Sequence, residues 1–526
     1  MRKFILLTFI AFAAYFDASA QRYLTKQFDE VNKTSTAYGF NYTVLAVPQI
    51  GRTLRQPLAV DIYTPKGDVQ TNRPLVIYFP TGNFLPFPQN TSPSGTITDS
   101  TCVDIATKLA KLGYVVAVAD YRKGWNPIAT TQEGRVNTVI NAVYRGVQDA
   151  RTAVRFFKEN ATTFGVDTTR ICLWGQGTGG YITLATATLD SYNKVFTTTN
   201  PQFKFIGSNQ LPFVIERAPL PTGGFFYINS DIEGKILGRV PPNADGTPSA
   251  GPPPTGDTLN LPNWTNRTSS FRLAVNMGGA LGDISWLDAA STNVISIQAP
   301  YDPFAPYKDA VLFVPIPGGQ LPVVQVQGSH AVQQKLKALG KDAAYQNMNA
   351  TYDPIGAAIK SRQEGYVNLF PIYGTAANIP NDSSPWDFWA PSNPNHAAGL
   401  VGNPDMSATK ARRYIDSIIA FVAPRACIGL DLPCKSLVAS TNEVTDAQVG
   451  LTLAPNPASA EIYITVDTKT PVRSYSVFDI NGRMIKNLDN INASEFTITR
   501  DLIQTGLYLV QLRFDQGVLT KKVMFE

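Results

Sequence analysis

The sequence predicts an α/β protein, a mostly parallel sheet flanked by helices, followed by a small all-β sandwich domain. From about residue 56 onward, short β-branched and aromatic runs alternate with longer segments of helical periodicity, the pattern of a parallel sheet covered by helices. Beyond residue 450 the pattern changes to short strands with period-two alternation. With 526 residues, 44% hydrophobic and 16% charged, the chain can bury a large core.

The first twenty residues have the pattern of a secretory signal. Arg2 and Lys3 precede the apolar run 4–16, and the small residues 18–20 complete an A-x-A cleavage site. The alternative is a membrane anchor, but the run is well short of the roughly 20 residues that span a bilayer. We therefore expect a signal peptide over residues 1–20 and no transmembrane segment in the mature protein.

Turn residues separate the elements of the α/β region, which we place at residues 21–435. Strands are predicted at 75–79, 115–119, 170–174, 271–275, 294–298 and 368–373. Helices are predicted at 103–112, 142–160, 331–339 and 407–422, the last of them ended by Pro424. The Pro- and Gly-rich stretch 241–262 is predicted to be a surface excursion.

Four cysteines in an exported chain raise the question of disulfides. Cys427 and Cys434 lie close together beside a proline, so we predict a local bridge between them in a loop after the last helix. Cys172 lies in an apolar run, where a buried thiol is expected, and we do not pair it with Cys102.

Charge and histidine content exclude two classes of function. The formal net charge of +5 is small for this length and no basic cluster is present, so nucleic acid is not an expected partner. The only histidines, His330 and His396, exclude a multi-histidine metal site. We expect no cofactor.

Residues 450–526 carry an ordered set of motifs. They are a P-N-P opening at 455–457, a D-x-x-G turn at 479–482 with a hairpin signal at Asn481 and Gly482, a G-x-Y strand at 506–508, and Lys521 with Lys522 in the last strand. This region resembles the type A sorting domain of the type IX secretion system, joined through a polar linker at 436–449. The alternative is a small β-sandwich that binds a ligand such as carbohydrate.

The resemblance to the sorting domain implies two-step export in a Bacteroidetes-type cell. The signal peptide would reach the periplasm, and the outer-membrane secretion machinery would then recognise the C-terminal domain, which is often removed or replaced by a lipid attachment. The expected destination is the outer cell surface or the medium.

Residues 149–181 read as a helix, a strand and a glycine-rich turn into the next helix. With matching segments at 120–122, 277–279 and 301–307, they resemble the carboxylesterase and secreted-lipase branch of the α/β-hydrolases. The resemblance covers most of residues 56–424 and implies that family's fold. In the family the turn is G-x-S-x-G, a sharp elbow that exposes the nucleophilic serine.

In this chain the elbow is the segment 175–179, and its flanking glycines place Gly177 at the nucleophile position. Glycine cannot form an acyl-enzyme, and loss of the nucleophile alone costs a serine hydrolase on the order of a millionfold in turnover. Glycine also adopts the strained elbow backbone at little cost, so the fold should tolerate it. The neighbouring Thr178 is expected to offer its backbone N–H to an oxyanion hole.

The remaining site residues follow from the same resemblance. An H-G-G-G-F-like oxyanion loop corresponds to residues 80–84, which keep Gly82, carry Asn83 and lack the histidine. Asp302 occupies the acid position, although it could simply cap the turn before Pro303.

The family's histidine should follow the strand 368–373, but residues 374–377 contain none. His396, about twenty residues later, could reach the site, although a solvent-facing position is the favoured alternative. His330 is expected at the start of a helix far from the site. Trp386 and Trp389 could line the pocket or pack in the core.

Three functions are therefore open. The favoured one is a catalytically impaired hydrolase fold whose cleft binds a ligand or partner. The second is an active ester hydrolase in which His396 and Asp302 activate water directly. The third is a structural or adhesive surface protein.

Overall fold

The computed structural model describes residues 21–195, 198, 204–208, 210, 212–214, 216, 229–239, 257–316, 319–349, 352–373, 382–439, 444–479, 484–488, 491–501, 503–514 and 517–526. The predicted signal peptide, most of the predicted surface excursion, residues 374–377 and the turn at Asn481 and Gly482 lie outside them. The chain divides into two compact units, one within residues 21–346 and 350–438, the other within 347–349 and 439–526.

The first unit is built on an eight-stranded sheet. The described strands of the whole unit, in chain order, are β1 (Val31–Thr43), β2 (Leu54–Pro65), β3 (Arg73–Phe79), β4 (Val115–Ala119), β5 (Val166–Gln176), β6 (Gly238–Arg239), β7 (Thr258–Asn260), β8 (Leu273–Met277), β9 (Asn293–Gln298), β10 (Asp309–Ile316), β11 (Gly319–Gln327) and β12 (Leu369–Pro371). The sheet order is β1-β2-β4-β3-β5-β8-β9-β12. From β4 to β12 every neighbouring pair is parallel, which confirms the predicted fold class.

Helices cover this sheet. The described α-helices of the unit are α1 (Val47–Ile50), α2 (Ser100–Leu112), α3 (Gln132–Glu159), α4 (Ala161–Phe164), α5 (Thr178–Thr188), α6 (Ser329–Ala338), α7 (Pro354–Ile359), α8 (His396–Gly402), α9 (Ala408–Gly429) and α10 (Lys435–Val438). The helix α3 begins well before its predicted start because Thr131 caps it, accepting a hydrogen bond from the N–H of Gly134. The strands β3 and β4 are buried along their whole length, as strands covered on both faces must be.

The prediction that Pro424 ends a helix is wrong, because α9 continues through it to Gly429. Proline removes one N–H from the helix interior and destabilises it. The buried Arg425 fixes this turn by donating to both carboxylate oxygens of Asp353, at 2.8 and 3.0 Å, and to the carbonyl of Val367. Tertiary contacts therefore offset the proline.

The cysteines occupy two environments. Cys427 was predicted to lie in a loop after the last helix, but it lies inside α9. The predicted disulfide bond between Cys427 and Cys434 is present. Cys102 in α2 and Cys172 in β5 are buried free thiols, and burial raises the pKa of both.

Among its described residues the second unit is all-β apart from one short helix, α11 (Asp446–Val449). Its described strands are β13 (Thr452–Ala454), β14 (Glu461–Thr465), β15 (Ser474–Asp479), β16 (Met484–Leu488), β17 (Glu495–Thr499), β18 (Gly506–Phe514) and β19 (Gly517–Phe525). They form two antiparallel sheets, β13-β14-β17 and β16-β15-β18-β19, around one apolar core. Val444 and Val449, which we assigned to the linker 436–449, are buried in that core.

The described part of the chain contains no helix with the length and apolar character needed to span a bilayer.

Replacing Asp353 by alanine should destabilise the first unit by about 3–5 kcal/mol, because Arg425 would be left buried without its carboxylate. Denaturant unfolding followed by tryptophan fluorescence measures this free energy. The exposed pair between Asp416 and Lys108 supplies the control, since Asp416→Ala should cost less than about 1 kcal/mol. Equal losses in the two variants would contradict the structural role of the buried pair.

Candidate active site

The turn between β5 and α5 is a sharp elbow with Gly177 at its apex. The backbone of Gly177 has φ 53° and ψ −118°, in the left-handed region that favours glycine. Its N–H donates to the carbonyl of Met277 at 2.8 Å, and its carbonyl accepts from the N–H of Tyr181 at 3.2 Å. The apex is therefore fixed at the carboxyl end of the sheet, where it offers no side-chain oxygen.

The flanking glycines allow close backbone contacts. A Cβ atom on Gly175 would lie 2.0 Å from the carbonyl oxygen of Gly179, and one on Gly179 would lie 2.0 Å from the carbonyl oxygen of Phe79 in β3. A Cβ atom on Gly180 would lie 3.0 Å from the Cα of Gly279. No larger residue fits at these three positions without moving the backbone.

The loop that follows β3 also has an unusual backbone. Gly82 has φ 140°, and the next two residues, Asn83 and Phe84, have φ 56° and 53°. Positive φ at two consecutive non-glycine residues is strained and is typical of functional loops. Hydrogen bonds hold the loop, since Asn83 donates its side-chain amide to the carbonyl of Asn90 at 2.9 Å and the carbonyl of Phe84 accepts from Gly124 N–H at 2.8 Å.

Thr178 is the first residue of α5. Thr178 and Asn83 both line an apolar cavity beside the elbow. Tyr121 donates its hydroxyl to the carbonyl of Pro80 at 3.0 Å, so the Thr178 hydroxyl, 2.8 Å away, donates to the Tyr121 oxygen. The first N–H groups of a helix have no acceptor within it, which leaves the Thr178 N–H available to a ligand oxygen.

Asp302 lies in the turn after β9. Its Oδ1 accepts the N–H of Phe304 at 2.8 Å, the turn-capping contact considered above. Its Oδ2 is 3.9 Å from the position that a Cβ atom on Gly278 would occupy. Gly278 directly follows β8, which pairs with β5, the strand that leads into the elbow. Burial raises the pKa of Asp302 to about 8, and no basic side chain pairs with it in the described part of the chain.

A tryptophan borders the same glycine as Asp302. Trp386 is 1% exposed, and its ring would lie 3.2 Å from a Cβ atom on Gly278. Its indole N–H has no hydrogen-bond acceptor among the described residues. The aromatic ring next to the acid position is therefore an indole and not an imidazole.

His396 begins α8, where it is partly buried and does not face solvent freely. The indole N–H of Trp389 donates to its Nδ1 at 3.1 Å. Because an indole N–H is only a donor, Nδ1 is the acceptor and the imidazole hydrogen lies on Nε2. This tautomer is the reverse of the one that a triad histidine needs, in which Nδ1–H donates to the acid and Nε2 accepts the proton.

His330 lies at the start of α6, with Nε2 2.9 Å from the carboxylate of Glu364. Its ring packs between Tyr307 and Tyr366, at centroid distances of 5.4 and 5.0 Å. No contact joins it to the elbow within the described residues.

A buried carboxylate that the sequence did not single out lies behind the elbow. Asp387 accepts hydrogen bonds from the hydroxyls of Ser94 at 2.7 Å and Thr101 at 2.5 Å, and burial raises its pKa. Burial and the proximity of Asp387 raise the pKa of Asp99 to about 6. This cluster ties the segment after β12 to the loop after β3 and to the helix α2.

An apolar cavity of about 100 Å³ opens beside the elbow. Asn83 and Thr178 are among the residues that line it. Its apolar walls come from the loops after β3, β4, β8 and β9, the helices α3 and α5, and the paired strands β10 and β11. They include Trp125, Val143, Tyr181, Ala280, Phe304, Leu312, Phe313 and Val326.

The sheet order, the elbow and the loop opposite it define an α/β-hydrolase fold of the esterase-like class. The family described as BD-FAE matches residues 60–216, which include the elbow and the loop 80–84. The family described as a secretion system C-terminal sorting domain matches residues 452–526, the second unit. The chain thus combines an esterase-like α/β-hydrolase fold with a type IX sorting domain, which implies export.

Several solved esterase structures are similar to this chain. The propionate-bound esterase Est2 of the Planctomycetes species Thermogutta terrifontis is 13% identical and matches over 73% of this chain and 94% of that chain, with a TM-score of 0.31. The esterase of Pyrobaculum calidifontis is 21% identical over 34% of this chain and 45% of that chain, with a TM-score of 0.20. A comparison with curated proteins finds no match.

The raised pKa of Asp302 predicts a pH-dependent contribution to stability. The folded protein keeps this proton up to about pH 8, whereas the unfolded chain releases it near pH 4. The stability contribution is therefore complete below about pH 4 and falls by about 1.4 kcal/mol per pH unit as the pH rises toward 8.

Asp302→Asn keeps the oxygen that accepts the Phe304 N–H but cannot ionise. We expect the variant to match the native protein at pH 4 and to have a higher Tm above pH 8. Thermal unfolding of both proteins from pH 4 to 9 measures the difference, and a difference independent of pH would show that Asp302 titrates normally.

Proposed function

We propose that this chain is an exported, non-catalytic α/β-hydrolase-fold protein that binds a small apolar group in the cavity beside its elbow. The observation that carries the proposal is Gly177 at the apex, in the elbow backbone but without an oxygen to attack a carbonyl. Acyl transfer through a serine-type intermediate needs that oxygen.

The other two catalytic roles are also unsupported. His396 accepts the indole N–H of Trp389 at Nδ1, the atom through which a triad histidine donates to its acid, so it is not arranged as a triad base. Asp302 contacts no imidazole among the described residues, and burial raises its pKa to about 8, which disfavours the carboxylate form that stabilises an imidazolium. Direct activation of water by the same two residues meets the same obstacles.

The cavity favours a binding function over a purely structural one. Apolar walls with a few convergent polar groups are typical of small-molecule sites. Apolar cavities of this order of size accommodate a group such as a benzene ring. The N–H of Thr178, which lines the cavity, favours a ligand with a hydrogen-bond acceptor, such as a carbonyl, attached to that group.

Export places this binding site outside the cell. The sorting domain supports recognition by the outer-membrane secretion machinery through residues 450–526. The sequence of residues 1–20 supports a signal peptide for the first step. The proposed location is the outer surface or the medium.

The protein should hydrolyse p-nitrophenyl butyrate no faster than buffer does. His396→Ala should leave that rate unchanged, because His396 has no catalytic role in the proposal. Release of p-nitrophenolate, followed by absorbance, measures both rates. Clear turnover by the native chain that disappears in His396→Ala would establish the active-hydrolase alternative.

The same ester should bind without being cleaved and raise the Tm. Leu312→Trp places a large side chain in the cavity wall and should weaken binding at least about tenfold, or about 1.4 kcal/mol. The neighbouring Val311 is 40% exposed and does not line the cavity, so Val311→Trp is the matched control.

Thermal shifts across a series of ester concentrations yield the apparent Kd of the three proteins. Equal affinities would place binding elsewhere, and no shift in any of them would favour the structural or adhesive alternative.

A further inference from the structure

The side chain of Thr81 occupies the space into which a residue-177 side chain would project. A Cβ atom on Gly177 would lie 2.2 Å from Oγ1 of Thr81 and 2.8 Å from its Cβ. Both distances are well below the roughly 3.5–4.0 Å of normal contact between heavy atoms. Thr81 therefore lies over the apex of the elbow.

Side-chain rotation cannot relieve this overlap. Turning χ1 of Thr81 moves Oγ1 away, but its Cβ is attached directly to the backbone and stays in place. The 2.8 Å contact therefore persists in every rotamer, and only movement of the backbone at residue 81 or 177 could remove it.

The backbone on either side of Thr81 is held. The carbonyl of Pro80 accepts the Tyr121 hydroxyl at 3.0 Å, and a Cβ atom on Gly82 would lie only 3.0 Å from the Cα of Gly95. The carbonyl of Phe79 is in close contact with Gly179 of the elbow itself. The loop has little freedom to retreat from residue 177.

Sizes at the two positions are complementary. In the loop that resembles H-G-G-G-F, Thr81 stands at the first glycine position, and at the elbow Gly177 stands at the serine position. Relative to that pattern, residue 81 is larger and residue 177 is smaller.

We propose that Thr81 and Gly177 form a coupled pair, in which the threonine side chain fills the space of the missing nucleophile and prevents any larger residue from being accommodated at the apex. The inference rests on the proposed function, since it concerns the same elbow. It implies that serine at position 177 fits only when residue 81 is reduced to glycine, so a single reversion cannot rebuild the site.

Alanine tests the pair directly, because it adds only the Cβ atom. We compare the Tm of Gly177→Ala, Thr81→Gly and the double variant in the full chain. Gly340→Ala is the control: Gly340 also has positive φ, at 69°, and a Cβ atom there would have no neighbour within 4 Å. It gives the cost of alanine at a positive φ in open space, and the cycle of single and double variants at residues 81 and 177 isolates the contact itself.

Gly177→Ala should lower the Tm clearly more than Gly340→Ala does. In the Thr81→Gly background, adding Gly177→Ala should lower the Tm clearly less than it does beside Thr81. Losses at 177 and 340 that are equal beside Thr81, or a loss at 177 that Thr81→Gly does not reduce, would overturn the coupling.

Soluble yield keeps the test decisive if Gly177→Ala alone fails to fold. Recovery of the double variant at the level of Thr81→Gly supports the proposal, and its absence when Thr81→Gly is soluble overturns it. Because no step depends on hydrolysis or ligand binding, ester turnover by the native chain would refute the proposed function and leave this result interpretable.

Discussion

The close contact between the elbow backbone and its neighbouring strands governs the geometry of the whole site. Gly179 packs on the carbonyl of Phe79 at the end of β3, and Gly180 packs on Gly279 after β8. These contacts leave no space for a Cβ atom, so they fix the height and direction of the turn regardless of which side chain the apex carries. These contacts therefore also position Gly177, the loop 80–84 and the start of α5 in the arrangement of an α/β-hydrolase elbow. The apex nevertheless carries no nucleophilic side chain.

The same constraint explains which features of the site the sequence could predict. The flanking glycines are a local pattern with one structural meaning, so they identify the apex at Gly177 and the neighbouring Thr178 without a structure. The strands β3, β4, β5 and β9 are short apolar runs bounded by turn residues, and their positions are recognisable for the same reason. Local chemistry was a sufficient guide wherever the contacts are local.

Contacts between distant segments could not be predicted in this way. Thr81 reaches the apex across nearly a hundred residues of sequence, and nothing in its neighbourhood distinguishes it from any loop threonine. Asp387 is buried against Ser94 and Thr101, far away in sequence, and it lies between aromatic residues that favour a core or rim position. The prediction at Pro424 was wrong because a proline is locally a helix-ending signal. The contact between Arg425 and Asp353, which the sequence does not display, holds the turn in the helix.

The site residues that match the hydrolase pattern are those that the backbone structure itself requires. Gly175, Gly179 and Gly180 cannot be enlarged without moving the backbone, and Asp302 caps the turn after β9 through the Phe304 N–H. The catalytic serine and histidine of a hydrolase have no comparable structural role, because their side chains act in acyl and proton transfer. Under the proposed function, relaxation of catalytic selection would therefore remove them first and leave the elbow, the turn and the cavity in place. In this chain Thr81 fills the space beside Gly177, where an unfilled gap would forfeit dispersion contacts. Packing against the fixed loop then disfavours a larger residue at position 177.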